Sequence, residues 1–175
     1  YVEPEINEAV KKRMDDGFCF SLVQPIQNEL EERLIDTLPS GEQAIIVKTG
    51  SDATNAAVRA ARAYTGRDVI ARCGYHGWGD WCVENHGGVP QAVVELTKEF
   101  EYGKIEDLER VFAENPGQVA GVIITPVGHP LAAPVVPPPP GYLEAVKELT
   151  HRHGAVLIFD EIRTGFRVAM GGAQE

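Results

Sequence analysis

Apolar positions set the first reading of the chain. Ile6, Val10 and Met14 recur every fourth residue, and Leu30, Leu34 and Leu38 repeat that spacing after Pro25, so the first 40 residues read as helical. Pro39-Ser40-Gly41 breaks the pattern. A short apolar run at 44–47 has the look of a buried strand and feeds Thr49-Gly50-Ser51-Asp52. The Ala- and Arg-rich stretch 53–64 that follows predicts a helix closed by Gly66. Further on, the pattern predicts a strand at 68–72, loops through 81–102, a helix over 105–114 and a strand at 119–124. A proline-dense loop comes next, with Pro126, Pro130, Pro134 and the run 137–140. A helix over 142–152 ends at Gly154, and an apolar strand at 155–159 delivers Asp160 and Glu161 at its end.

Continuous apolar strands separated by helices predict an α/β fold with a mostly parallel sheet covered on both faces. The chain divides into an N-terminal helical segment, residues 1–40, and an α/β domain over 41–175. In parallel sheets ligands sit beyond the carboxyl ends of the strands. Gly50-Ser51, Tyr75-His76, Thr125 and Asp160-Glu161 all follow a predicted strand, so one crevice can collect them.

Composition narrows the function classes. The 175 residues are 43% hydrophobic and 24% charged, an ordinary globular balance, and the formal charge of -10 repels phosphate backbones and anionic membranes. Neither nucleic acid nor a membrane is therefore an expected partner. Cys19, Cys73 and Cys82 are scattered and form no CxxC pair, which argues against a metal knuckle or a secreted disulfide framework and for a reducing cytoplasmic setting. No metal site is expected. The chain opens on Tyr1 and ends on Gly171-Gly172-Ala173-Gln174-Glu175, and both ends read as cuts in a longer sequence.

Three segments carry candidate chemistry. At Thr49-Gly50-Ser51-Asp52, a glycine turn opening a helix aims free N–H groups and the positive end of the helix dipole at one point, which suits a phosphate. The competing explanation is a helix cap, worth about 1 kcal/mol with no ligand at all. Tyr75-His76-Gly77-Trp78 offers flat rings flanked by glycines, suited to stacking on a planar ligand or to local packing. Asp160 at a buried strand tip needs a cation or donors; against a pyridine nitrogen it would keep that nitrogen protonated, and an ion pair or cap would also satisfy it. The Mg²⁺-binding strand of an ATPase would also end this way, but the GxxxxGK[ST] loop it requires does not occur. His151 and His153 read as helix-end residues that complement the dipole, while His86 and His129 sit in predicted loops.

Taken in order, these segments resemble class III (omega-type) aminotransferases, within which the chain is similar to glutamate-1-semialdehyde aminomutase-like proteins. The resemblance is carried by Lys48 through Arg67, by Gly74-Tyr75-His76-Gly77-Trp78, by Pro138 to Leu143, and by Ala155 through Gln174 with its Asp160-Glu161-Ile162-Arg163-Thr164-Gly165 core. It implies the large domain of a type I transferase dependent on pyridoxal 5'-phosphate (PLP), an α/β/α sandwich present here in part. By the same resemblance Gly50, Ser51 and Asp52 form the phosphate turn, Tyr75 stacks on the pyridine ring with His76 beside it, Asp160 pairs with the ring nitrogen as the catalytic carboxylate, and Glu161 supports that end. It also implies a small-molecule amino donor, a carbonyl acceptor and a homodimer.

Several positions depart from the family pattern. Asp52 replaces a Glu, Thr125 stands where a Glu before Pro126 is common, Gly128-His129-Pro130 replaces an Asn-containing loop, and Arg163 takes a position that faces the cofactor's phenolic oxygen. The lysine that holds PLP covalently in the family would follow the Asp160 motif, and no Lys occurs there; Lys48 lies before the phosphate turn. The expectation is thus an aminotransferase or aminomutase segment that lacks its lysine, with an inactive PLP-binding or non-enzymatic homologue as the alternative.

Overall fold

A computed structural model describes residues 2–128 and 135–175; Pro130 and Pro134 of the proline-dense loop, and His129, lie outside them. The described residues fall into two compact units that divide between Ile46 and Val47.

The first unit holds α1 (Pro4–Met14) and α2 (Pro25–Thr37). Each starts with proline in its first turn, where the missing N–H costs nothing. Local ion pairs, Lys11 with Glu8 and Arg13 with Asp16, decorate the polar side of α1. Ile6, Val10 and Met14 are all exposed, as are Phe18, Phe20 and Leu22 in the connection between the helices.

The second unit contains the sheet. In chain order its elements are α3 (Gly50–Thr65), β1 (Val69–Cys73), α4 (Gln91–Val94), β2 (Thr97–Glu99), α5 (Ile105–Glu114), β3 (Val119–Ile124), α6 (Tyr142–Arg152) and β4 (Val156–Phe159). The four strands lie in the order β2-β1-β3-β4, and every neighbouring pair is parallel. A bulge between Val69 and Ile70 shifts the β1–β3 register by one residue, so that Cys73 faces Ile124, and Ile124 in turn faces Phe159.

Alternation along the strands builds two cores. On one face Ala71, Cys73, Val122 and Ile124 pack with Leu108, Val111 and Phe112 of α5 and Val146 and Leu149 of α6. On the other, Ile70 and Ile123 meet Val58 of α3 together with Trp81 and Cys82. Gly121 lets α3 approach closely, since a Cβ there would come within 3.2 Å of the Ala61 Cβ. Gly66 closes α3 in the left-handed conformation with φ 66, as its position predicted. At the amino ends of the strands, Arg67 Nη1 donates to the carbonyls of both Val119 (3.0 Å) and His153 (2.8 Å), fastening the start of β3 to the end of α6.

Two expectations need correction. No strand forms at 44–47, and Ile45 is 85% exposed: a strand is made by pairing, and none of these residues pairs with a described strand. Conversely, the stretch read as loops contains α4 and β2; Thr97, Lys98 and Glu99 carry no apolar signal, and their pairing with β1 makes the strand. β4 is also only half-buried, because among the described residues it pairs on one side alone.

Candidate active site

The carboxyl ends of β1 and β4 and the start of α3 meet around a cavity of about 240 Å³ lined by Thr49, Gly50, Ser51, Tyr75, His76, Gly77, Trp78, Asp160, Ile162 and Arg163. Thr49 caps α3: its hydroxyl oxygen accepts from the Asp52 N–H at 3.1 Å, while the Thr49 N–H donates to Asp52 Oδ2 at 3.0 Å. Asp52 is thereby committed to the cap and is not among the lining residues. That arrangement leaves the N–H groups of Gly50 and Ser51, and the Ser51 hydroxyl, without a partner among the described residues. They lie at the positive end of a 16-residue helix.

Glycines make the approach possible. Gly77 has φ +112, and a Cβ on it would fall 2.5 Å from Ser51 Oγ; a Cβ on Gly50 would fall 2.7 Å from Ile162 Cδ1. The turn after β1, the start of α3 and the turn after β4 therefore touch at positions where a side chain would intrude.

Asp160 continues the sheet ladder, its N–H donating to the Ile124 carbonyl at 2.9 Å, and its side chain is almost fully buried. Oδ1 accepts from the Ile162 N–H at 3.1 Å and Oδ2 lies 2.7 Å from His76 Nδ1. The His76 ring, 1% exposed, has its other nitrogen 3.0 Å from the Cys73 carbonyl, and its own carbonyl accepts from the Thr54 hydroxyl at 2.8 Å. Trp81 lies parallel to it with centroids 6.4 Å apart and donates from its indole N–H to Asn55 Oδ1 at 2.6 Å. Tyr75 and Trp78 stay partly or largely open at the rim.

Of the residues singled out in the sequence, Gly50, Ser51, Tyr75, His76 and Asp160 come together on this one cavity. Glu161 does not line it. Its carboxylate accepts from the Thr164 hydroxyl and from the N–H groups of Ala173 (3.0 Å) and Gln174 (2.9 Å), pinning the last turn of the chain. Thr125 is buried after β3 and is likewise outside the lining. Trp78, part of the aromatic segment read from the sequence, also lines the cavity, whereas Ile162 lines it with no chemical signature in the sequence. Nor does the sequence reveal the His76–Asp160 contact, which joins residues 84 positions apart. Among the described residues no group of three or more His, Cys, Asp or Glu is placed to hold a metal, and no helix is long and apolar enough to cross a membrane. The larger cavity of the first unit, about 580 Å³, is lined by α1 residues with Asp16 and Ile26 and contains no buried polar group.

The residues suit a small phosphorylated aromatic ring. Unpartnered donors stand at a helix N-terminus beside a gap that only glycine leaves open, and the same cavity is lined by the partly exposed Tyr75 ring and the buried Asp160 carboxylate. Fold and site together define a type I PLP-transferase architecture, and a solved transaminase structure with PLP bound superposes on 99% of this chain with a TM-score of 0.89 at 32% identity. The chain belongs to the class III aminotransferase family, whose model matches residues 1–173. Over its whole length it is 52% identical to a 3-aminobutyryl-CoA aminotransferase from Cloacimonas acidaminovorans, and over 99% of it 39% identical to a glutamate-1-semialdehyde 2,1-aminomutase from Natranaerobius thermophilus. It spans 42% and 43% of those two proteins and 43% of the solved structure.

Proposed function

We propose that these residues form the cofactor-holding part of a PLP-dependent aminotransferase, and that the lysine joined to the cofactor comes from sequence outside them. One observation carries this reading: the free donors of Gly50 and Ser51, the Tyr75 ring and the Asp160 carboxylate all line one cavity. PLP, when bound, supplies a conjugated ring that draws electrons from the amine-bearing carbon of a substrate. The chain's own contribution is to place and tune that ring. Gly50 and Ser51 take the phosphate, Tyr75 covers one face, and Asp160 keeps a proton on the pyridine nitrogen. Asp52 acts by fixing the cap and Glu161 by pinning residues 173 and 174.

Identity of 52% with an aminotransferase against 39% with an aminomutase favours transfer from a small amino donor to a separate carbonyl acceptor over rearrangement within one molecule. A cytoplasmic homodimer is part of the same proposal; the buried free thiols of Cys73 and Cys82 agree with a reducing compartment. A second reading, a homologue that binds PLP without catalysis or is not an enzyme, draws on the fact that none of the six lysines lines the cavity.

The test is to purify the complete gene product, add PLP, and assay amino transfer from a panel of β- and ω-amino compounds to 2-oxoacids. Borohydride reduction followed by peptide mapping then locates any covalent attachment. Transfer activity with attachment beyond residue 175, lost to within about a thousandth in Asp160→Ala, is expected on the scale of removing a group that stabilises charge in the transition state. PLP binding without transfer activity would favour the second reading, and attachment at one of the six lysines here would sink the first.

A further inference from the structure

After β1 the chain lies along one side of α3. Ser51, Thr54, Asn55 and Val58 share that side, three or four residues apart. The Thr54 hydroxyl donates to the His76 carbonyl at 2.8 Å, and Gly77 backs onto Ser51. Gly79 passes so close to Asn55 that a Cβ on it would fall 2.5 Å from Oδ1. The same oxygen takes the Trp81 indole N–H at 2.6 Å. An indole N–H only donates, so Asn55 must turn its oxygen, not its NH2 group, toward the ring. Further on, the Thr97 hydroxyl donates to the Trp81 carbonyl and Arg72 Nη1 to the Cys82 carbonyl, both at 2.6 Å, which ties the end of the segment to the sheet. Thr54 and Asn55 thus anchor the chain on α3 before and after Trp78. That residue is 76% exposed and lines the cavity, so its place depends on the backbone to either side.

We infer that Asn55 is a positioning residue for the cavity wall formed by Gly77 and Trp78. By accepting from Trp81 and leaving room for the Gly79 backbone, it holds the turn against Ser51, beside the unpartnered donors of α3. Asn55 does not line the cavity and acts only through that turn. The hold on the turn stands on geometry alone; its effect on a bound phosphate rests on the PLP reading above.

The experiment uses the complete gene product, first without PLP and then with it. Asn55 is exposed, so Asn55→Ala removes the acceptor at a helix position that alanine suits, and Asn55→Asp keeps an acceptor there. Without PLP, deuterium exchange read by mass spectrometry should speed up about two- to tenfold over residues 79–83 in Asn55→Ala, the weight of one neutral hydrogen bond. The N–H groups of Cys82 and Val83, both bonded to the Gly79 carbonyl at 2.9 Å, report it. Asn55→Asp should exchange like the wild type. With PLP, Asn55→Ala should raise the dissociation constant by a similar factor and weaken the visible dichroism of the bound cofactor, and Asn55→Asp should restore both. Gly79→Ala, whose Cβ would intrude on the same oxygen, should behave like Asn55→Ala. Unchanged exchange in Asn55→Ala would overturn the inference. Faster exchange with unchanged PLP affinity and dichroism would leave Asn55 a packing residue and overturn it as well. Should Asn55→Ala fail to fold by far-ultraviolet dichroism, Gly79→Ala and Asn55→Asp still decide. Failure of the wild type to bind PLP would refute the functional reading, while exchange without PLP still judges the hold of Asn55 on the turn.

Discussion

At the scale of single residues, the site works because a few side chains are left with unspent donors or held in one orientation. Ser51 is the plainest case: its hydroxyl has no partner among the described residues and borders the cavity. Ser51→Ala should raise the PLP dissociation constant about tenfold, near the low end for a hydrogen bond to a charged group, with little change in melting temperature; fluorescence titration and a thermal scan check both. The cysteines divide in a similar way. Burial, aided by the negative charge of Glu101, pushes the Cys73 thiol up to about 12, and burial also raises Cys82, whereas Cys19 is exposed. Because the thiolate is the reactive form, a thiol reagent at pH 8 should label Cys19 rapidly in the folded chain and the other two only after unfolding, as peptide mapping would reveal. Legibility also differed between residues. Gly50, Ser51, Tyr75 and Asp160 were visible because each follows an apolar run that predicts a strand end or helix start. The contact of His76 with Asp160 was not, because it depends on which strands become neighbours.

Elements with their own periodicity or caps were read well. Helices α5 and α6 and strand β3 fall where the apolar pattern and the bounding glycine and proline residues put them. Two short segments show what pattern cannot supply. Residues 44–47 are apolar yet remain outside the sheet, while Thr97, Lys98 and Glu99 are polar yet pair with β1. A strand is a relation between segments, and its partner is not written within it. Helix α5 owes its place to a stripe of Leu108, Val111 and Phe112, all buried against the sheet. Leu108 is 0% exposed, so Leu108→Ala should cost about 2–5 kcal/mol in denaturant unfolding, by lost burial and the cavity left behind. A loss below about 1 kcal/mol would mean that the α5 face is not packed as described.

At the scale of the whole molecule, the chain presents a sheet whose last strand, β4, is half-buried and, among the described residues, paired on one side. Open strand edges recruit other strands. Expressed as these 175 residues, the chain should self-associate as its concentration rises, with an average mass in sedimentation velocity that grows with loading; a constant monomer mass would mean the edge is not open. The α/β class was legible because alternating apolar runs and helices admit few other solutions. The strand order was not, since β2 was invisible and the register shift at Val69 and Ile70 is a property of pairing.

The double donation from Arg67 makes the two ends of this sheet mechanically unequal. One flat cation grips two carbonyls where β3 begins and α6 ends, as a keel bolt joins frames, while the opposite rim is built from glycine turns. Removing that guanidinium in Arg67→Ala would strip both carbonyls of the donor they share and loosen the hull where β3 and α6 meet.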